Sequence, residues 1–202
     1  MTKELLIFVN SQKVDTNDTK MPTPKAKIFL ATGFEESEAL VPYDIMKRGG
    51  IDVELIGIAG KTVVSSHGVE VTVHKTLNDE LGEYDLIMLP GGMPGTLNLN
   101  DCAQLKDIIR KAANDCKIIS AICAGPMVLG GMGLLKGKKA TCYPGFEDKL
   151  SGATVTGEQV VRDGNIITGI GAGAAYEFGL ELLAALTDKT TAEKIKRQIM
   201  MK

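Results

Sequence analysis

The chain has 202 residues, 44% of them hydrophobic and 24% charged, and its 23 Lys+Arg against 25 Asp+Glu give a net charge of −2. That balance fits one soluble globular domain and argues against a disordered chain or a basic, phosphate-seeking surface. Aromatic residues reach only 4%, with no Trp to stack on nucleic-acid bases, whereas 23 Gly and 4 Cys beside 2 His stand out.

In chain order, residues 1–25 read as an extension and 26–202 as the domain. Leu5 to Val9 is too short an apolar run for a secretion signal, and nothing approaches the ~18 apolar residues of a membrane span. A cytoplasmic protein without a membrane anchor is expected. Leu5 to Val9 reads as a flexible tail or an added strand, and 10–25, with Pro22 and Pro24, as a linker. Met21 is a second candidate start.

The domain opens with a strand over 27–31, followed by ATGFEESEAL and a helix over 36–48. Acidic residues in a first helical turn complement the helix dipole, but Glu35, Glu36 and Glu38 cannot all face solvent. Helical spacing sets Glu38 beside core-facing Ala39, Tyr43 and Met46. Half-buried near a thiolate, such a carboxyl would hold its proton to higher pH and serve as general acid or base. A strand over 52–58 follows, and the alternating VEVTV at 69–73 reads as a hairpin or edge strand. His67 and His74 lie on or beside it, where single histidines are expected on the surface rather than in catalysis.

The strand over 85–89 ends in LPGGMPGT. Gly91 and Gly92 fit either a turn that needs positive φ or a backbone aiming N–H groups at a developing oxyanion. A helix over 100–114 and a strand over 117–122 lead to Cys123. Ala121 and Gly125 flank it at two residues' distance, and Pro126 suits the first turn of a helix over 125–132. Small residues on both sides of a nucleophile mark a sharp strand-to-helix elbow, which exposes the side chain and favours a thiolate. The alternative is a buried structural thiol.

None of Cys102, Cys116, Cys123 and Cys142 forms a CxxC pair, so neither zinc nor disulfides are expected. Cys142, beside Tyr143 at a strand end, is a candidate second reactive thiol. Asp163-Gly164-Asn165 reads as a tight turn before a strand over 166–170, and helices are expected over 174–187 and 191–200. GIGAGA at 169–174 matches a dinucleotide fingerprint, yet the further strand and acidic residue of such a unit are missing, so a loop closing over the site is expected instead. Continuous apolar runs alternating with helices give an α/β fold: a single, doubly wound, mostly parallel sheet sandwiched by helices, flavodoxin-like.

With GFEESE, LPGGMPG, AICAGP and YEFGLEL in this order, the chain resembles the ThiJ/PfpI superfamily over roughly residues 26–200, in the glyoxalase III-type branch of the parkinsonism-associated deglycase. The resemblance implies an oxidation-sensitive Cys123, a Glu38 carboxyl hydrogen-bonded to it, and a pocket lined by the amides of Gly91 and Gly92. It also implies a cytosolic homodimer that needs no metal or organic cofactor. Its substrates would be small aldehydes such as methylglyoxal, or glycated proteins; the other reading is a redox sensor or chaperone. Ala124 stands where protease-like members carry His, so proteolysis is not expected. Tyr143 stands where the branch often has His and can hydrogen-bond a substrate, although a phenol is a poor base at neutral pH. Ile170 replaces a charged residue in the last loop. The expected machinery is therefore Cys123 as nucleophile, Glu38 as proton shuttle, Tyr143 as a substrate contact, and the amides of Gly91, Gly92 and Ala124 as an anion pocket.

Overall fold

A computed structural model describes residues 22–202. The expectations for Leu5 to Val9 and for Met21 lie outside the described residues. The strands are β1 (Lys25–Leu30), β2 (Asp52–Gly57), β3 (Thr62–Val64), β4 (Glu70–Thr72), β5 (Lys75–Thr76), β6 (Leu86–Leu89) and β7 (Ile118–Ile122), then β8 (Lys139–Ala140), β9 (Thr154–Val155), β10 (Val160–Asp163) and β11 (Ile166–Gly169). The helices are α1 (Glu36–Arg48), α2 (Gly95–Asp101), α3 (Ala103–Asn114), α4 (Pro126–Gly131), α5 (Ala175–Leu186) and α6 (Lys189–Gln198).

Seven strands form one sheet in the order β10-β11-β7-β6-β1-β2-β5. All its pairings are parallel except β10 with β11, where the turn at Asp163 to Asn165 makes a hairpin. Side chains alternate between its two covered faces, which explains the continuous apolar runs. From β1, Ala26, Ile28 and Leu30 meet Met46 of α1, Phe178 and Leu183 of α5 and Ile195 of α6. Phe29 from β1 and Ile87 and Leu89 from β6 meet Leu99, Leu105, Ile109 and Leu129 of α2 to α4. Lys27 is the one buried charge of β1, and burial obliges it to pair with Glu54 on β2. Gly179 lets α5 lie close on α1, since a Cβ there would sit 3.0 Å from Cα of Pro42.

The expected single helix over 100–114 is two helices. Cys102 takes an extended conformation (φ −79°, ψ 102°) between α2 and α3, and α2 starts directly after Pro94. The alternating VEVTV run is a hairpin strand: β4 pairs antiparallel with β3 in a small separate sheet. The connection from β1 runs to β2 and β5 on one side and then returns to β6 on the other. The carboxyl ends of β1 and β6 therefore diverge at the switch point where doubly wound sheets bind ligands.

Candidate active site

Four strand ends converge at that crevice. β7 delivers Cys123, whose φ of 63° lies in the left-handed region where a residue with a Cβ is strained. The strain is fixed from both sides: the Cys123 N–H donates to Gly169 O (2.9 Å), and its carbonyl accepts from the Tyr143 N–H (2.9 Å). Gly125 permits the turn, because a Cβ there would meet Leu89 O at 2.8 Å and Ile122 O at 2.9 Å. The elbow expected from the AICAGP pattern is thus present as geometry, with the thiol half-buried.

β1 delivers the three acids, and each has a different environment. Glu35 caps α1, its carboxylate accepting from the Glu38 N–H (2.7 Å) and the Ser37 hydroxyl (2.6 Å). Glu36 pairs with Nδ1 of His67 at 2.9 Å, tying the helix start to the β3–β4 hairpin. Glu38 is 1% exposed. Its Oε2 accepts from the Gly91 N–H at 2.9 Å, and the Ala172 N–H in the loop after β11 lies close enough to favour its charged form.

The Glu38 carboxyl and the Cys123 thiol are within hydrogen-bonding reach across Gly91. A methyl on Gly91 would lie 2.6 Å from Glu38 Oε2 and 2.7 Å from Cys123 Cβ, so only glycine leaves the pair room to meet. Burial first, and then the charge of Glu35, pushes Glu38 up to about 7, against the pull of the thiol and the two amides. Burial, and then the facing Glu38 charge, pushes the Cys123 thiol up to about 12, against the N–H groups of Ala124 and Gly92 at the sulfur. The two groups titrate as one system, whose protons leave in a step about pH 7 and another about pH 12. Between those steps the remaining proton sits on the sulfur, so the thiolate expected at the elbow is not favoured at rest: burial and the facing Glu38 carboxylate outweigh the two amide donors, and Glu38 is placed to take that proton as the sulfur reacts. α4 has only six residues, so its dipole adds little beside those direct contacts.

Of the expected anion pocket, Gly92 and Ala124 aim N–H groups at the sulfur. The Gly91 N–H is instead engaged by Glu38, so Gly91 holds that carboxyl rather than offering a free donor to an anion. Tyr143 is 51% exposed beside the elbow, with its ring over Gly171. His74 is structural, its Nδ1 accepting from the Leu55 N–H at 2.9 Å. Cys142, unlike half-buried Cys123, is closed off among the side chains under α4, and burial pushes its thiol up to about 11, so it is not placed as a second reactive thiol. Sequence reasoning did not find Ala172 or the capping role of Glu35; the only signal for Ala172 was the glycine-rich loop expected over the site. Glu35, Glu36 and His67 offer ligand atoms within 4.8 Å of one another, but Glu35 is committed to its cap and Glu36 to His67. A cavity of about 440 Å³ lined by Lys25, Tyr84, Asp85, Lys111 and Lys117 opens at the opposite, amino-terminal edge of the sheet and contains neither Cys123 nor Glu38.

The sequence profile of the DJ-1/PfpI family matches residues 24–185. The chain belongs to the DJ-1/PfpI family. Among its DJ-1 relatives, the zebrafish (Danio rerio) Parkinson disease protein 7 homolog is 35% identical over 188 residues, 90% of this chain and 100% of that protein. DJ-1 homolog B of Arabidopsis thaliana is 38% identical over 184 residues; the match takes in 89% of this chain but only 42% of that longer protein. Among solved structures, a DJ-1 superfamily protein from Salmonella typhimurium superposes with a TM-score of 0.85 at 33% identity, covering 89% of this chain and 100% of that one. Toxoplasma gondii DJ-1, described as oxidized, gives 0.84 at 35% identity, covering 88% and 98%. The DJ-1/PfpI fold thus accounts for the doubly wound sheet. No helix among the described residues is long and apolar enough to cross a membrane.

Proposed function

We propose that this chain is a cysteine-dependent, cofactor-independent enzyme that converts methylglyoxal to lactate or acts on glyoxal-modified proteins, as a cytoplasmic homodimer. The observation that carries the reading is the buried Glu38 carboxyl facing Cys123 across Gly91 at a strained elbow, where it can take the thiol proton as the sulfur attacks. The thiolate adds to the aldehyde carbon, and the C=O pair becomes an oxyanion. The two amides stabilise that charge, and Glu38 gives it a proton, forming a neutral hemithioacetal. The Glu38 carboxylate then removes the proton from the former aldehyde carbon and returns it to the neighbouring carbon, while the hydroxyl proton shifts to leave a lactoyl thioester. Water hydrolyses the thioester, releasing lactate and restoring the thiol. Proton transfer by a positioned group contributes ~10²–10⁴-fold. Tyr143, exposed beside the elbow, would serve as a substrate contact.

The test is lactate formation from methylglyoxal by the purified protein, beside Cys123→Ser and Glu38→Gln. Wild type forms lactate, and each variant loses roughly 100-fold or more. Equal lactate from Cys123→Ser overturns the reading. A second reading, a redox sensor, draws support from the relative described as oxidized. In it the thiolate reduces one peroxide to give sulfenic acid and a second to give the sulfinate, which protonated Glu38 and the two amides hold. No lactate from the wild type, together with two oxygens added at Cys123 after mild peroxide, selects that reading.

A further inference from the structure

Tyr143 is held unusually firmly for a half-exposed aromatic residue. Its N–H donates to the Cys123 carbonyl (2.9 Å), and its own carbonyl accepts from the Phe146 N–H (3.1 Å). Between those bonds the chain turns through Pro144 and Gly145, where φ is 96° and the N–H donates to Glu147 at 2.7 Å. The backbone of Tyr143 is therefore anchored to the nucleophile's own peptide. It lies on Gly171: a Cβ there would be 3.3 Å from Tyr143 Cδ2 and 3.9 Å from Cε2. Gly171 precedes Ala172, whose N–H lies close to Glu38. The ring thus spans from the peptide of the nucleophile to the loop that reaches the proton carrier.

The other sides of the reacting centre are taken. Glu38 closes the side across Gly91, and the amides of Gly92 and Ala124 occupy the side where the oxyanion forms. A 2-oxoaldehyde bonded through its first carbon must send the substituent of its second carbon along the open side, bounded by Tyr143 and Gly171. Tyr143 offers an aromatic face there and Gly171 bare backbone. An aromatic face favours an apolar, and best an aromatic, group.

We propose that Tyr143 determines specificity: its ring is the wall against which the substituent packs, and it gives the site a preference for aryl-substituted 2-oxoaldehydes over methylglyoxal. The proposal rests on the aldehyde reading above and adds the substrate class. It assigns the selection to the ring, not to the phenol hydroxyl.

The experiment compares kcat/KM for phenylglyoxal, followed as mandelate, with kcat/KM for methylglyoxal, followed as lactate, in wild type, Tyr143→Phe and Tyr143→Ala. An apolar contact of this size is worth roughly tenfold or more in discrimination. The expected wild-type ratio favours phenylglyoxal by about tenfold. Tyr143→Phe keeps that ratio within about twofold, and Tyr143→Ala lowers it about tenfold, chiefly through a higher KM for phenylglyoxal. A wild-type ratio near one overturns the proposal and leaves the aldehyde reading standing, as lactate is still formed. Equal losses in Tyr143→Phe and Tyr143→Ala overturn it in favour of the hydroxyl. A fall in kcat for both substrates alike in Tyr143→Ala overturns it in favour of a role in holding the elbow. If the wild type turns over neither aldehyde, the aldehyde reading fails and the proposal falls with it.

Discussion

Glu38 is a buried acid that the fold holds protonated far above the range of an ordinary carboxyl, and that has a measurable cost. Its proton affinity rises from 4.5 to about 7 on folding. The unfolded chain therefore releases this proton first, and between about pH 4.5 and 7 the folded protein binds more protons than the unfolded one. Stability must fall as pH rises through that window and level off above it. Each tenfold change in proton affinity is worth ~1.4 kcal/mol, so the loss at pH 8 is about 3 kcal/mol. Glu38→Gln keeps the shape and an acceptor for the Gly91 N–H but removes the ionisation. The variant should match wild type at pH 4 and exceed it by about 3 kcal/mol at pH 8, or roughly 6–12 °C in Tm for a chain of this size. Glu54, Asp79 and Asp188, held below the usual carboxylate range, make both proteins lose stability in acid, and that effect cancels in the difference. Urea unfolding at pH 4, 6 and 8 reads it. A difference independent of pH, or a variant less stable at pH 8, would refute the assignment of a high proton affinity to Glu38.

Three further outcomes follow from the same geometry. In Glu35→Gln, an acceptor for the Glu38 N–H remains while the neighbouring charge is gone, so the pH midpoint of the Glu38-dependent stability loss should move below 7; Glu35→Ala should show the same shift plus a capping loss of about 1 kcal/mol. An unshifted midpoint in Glu35→Gln would show that its charge does not act on the pair. Gly91→Ala places a methyl against both Glu38 and Cys123 and should cost roughly 1–3 kcal/mol of stability. It should also cost at least about tenfold in alkylation rate or turnover, measured beside Tm. Phe178→Ala removes a fully buried side chain from the α1–α5 face and should lower stability by about 3–5 kcal/mol in urea titration. A loss under about 1 kcal/mol would mean that this face is loosely packed.

The sheet and the helices flanking it were readable because burial on both faces leaves a plain mark, runs such as IFL and LIML with little polar interruption. α1 begins and ends where its pattern predicts, since its acids open it and Gly49 and Gly50 follow it. The two-residue strands β5, β8 and β9 are too short to carry a periodicity and exist only through their partners. α2 was missed for a related reason: Gly95, Asn98 and Asn100 are weak helix formers, and its place is set by packing behind the site. The elbow was legible because a strained turn restricts residue types locally. The bond from Gly91 to Glu38 joins positions 53 apart, and no local pattern encodes it.

The GFEESE turn shows how far composition alone reaches. Three acids in one turn carry the same sequence signal, but they cannot all face water, and helical phase sets Glu38 beside Ala39 and Met46, both of which are fully buried. The phase could not divide the other two, because a cap and a hairpin contact depend on where Glu38 N–H and His67 lie. Their roles are nonetheless linked. Glu35 fixes the backbone N–H of Glu38 and at the same time raises its proton affinity, while the Glu35 N–H donates to Gly91 O (3.0 Å) and the Gly91 N–H donates back to Glu38. Glu35, Gly91 and Glu38 therefore form a closed ring of three hydrogen bonds around the carboxyl that faces Cys123. A buried acid left without such a ring could relieve its cost by turning toward water. Held by it, the carboxyl stays against the thiol, and the stability lost above pH 4.5 is the energetic counterpart of a proton kept where the sulfur can use it.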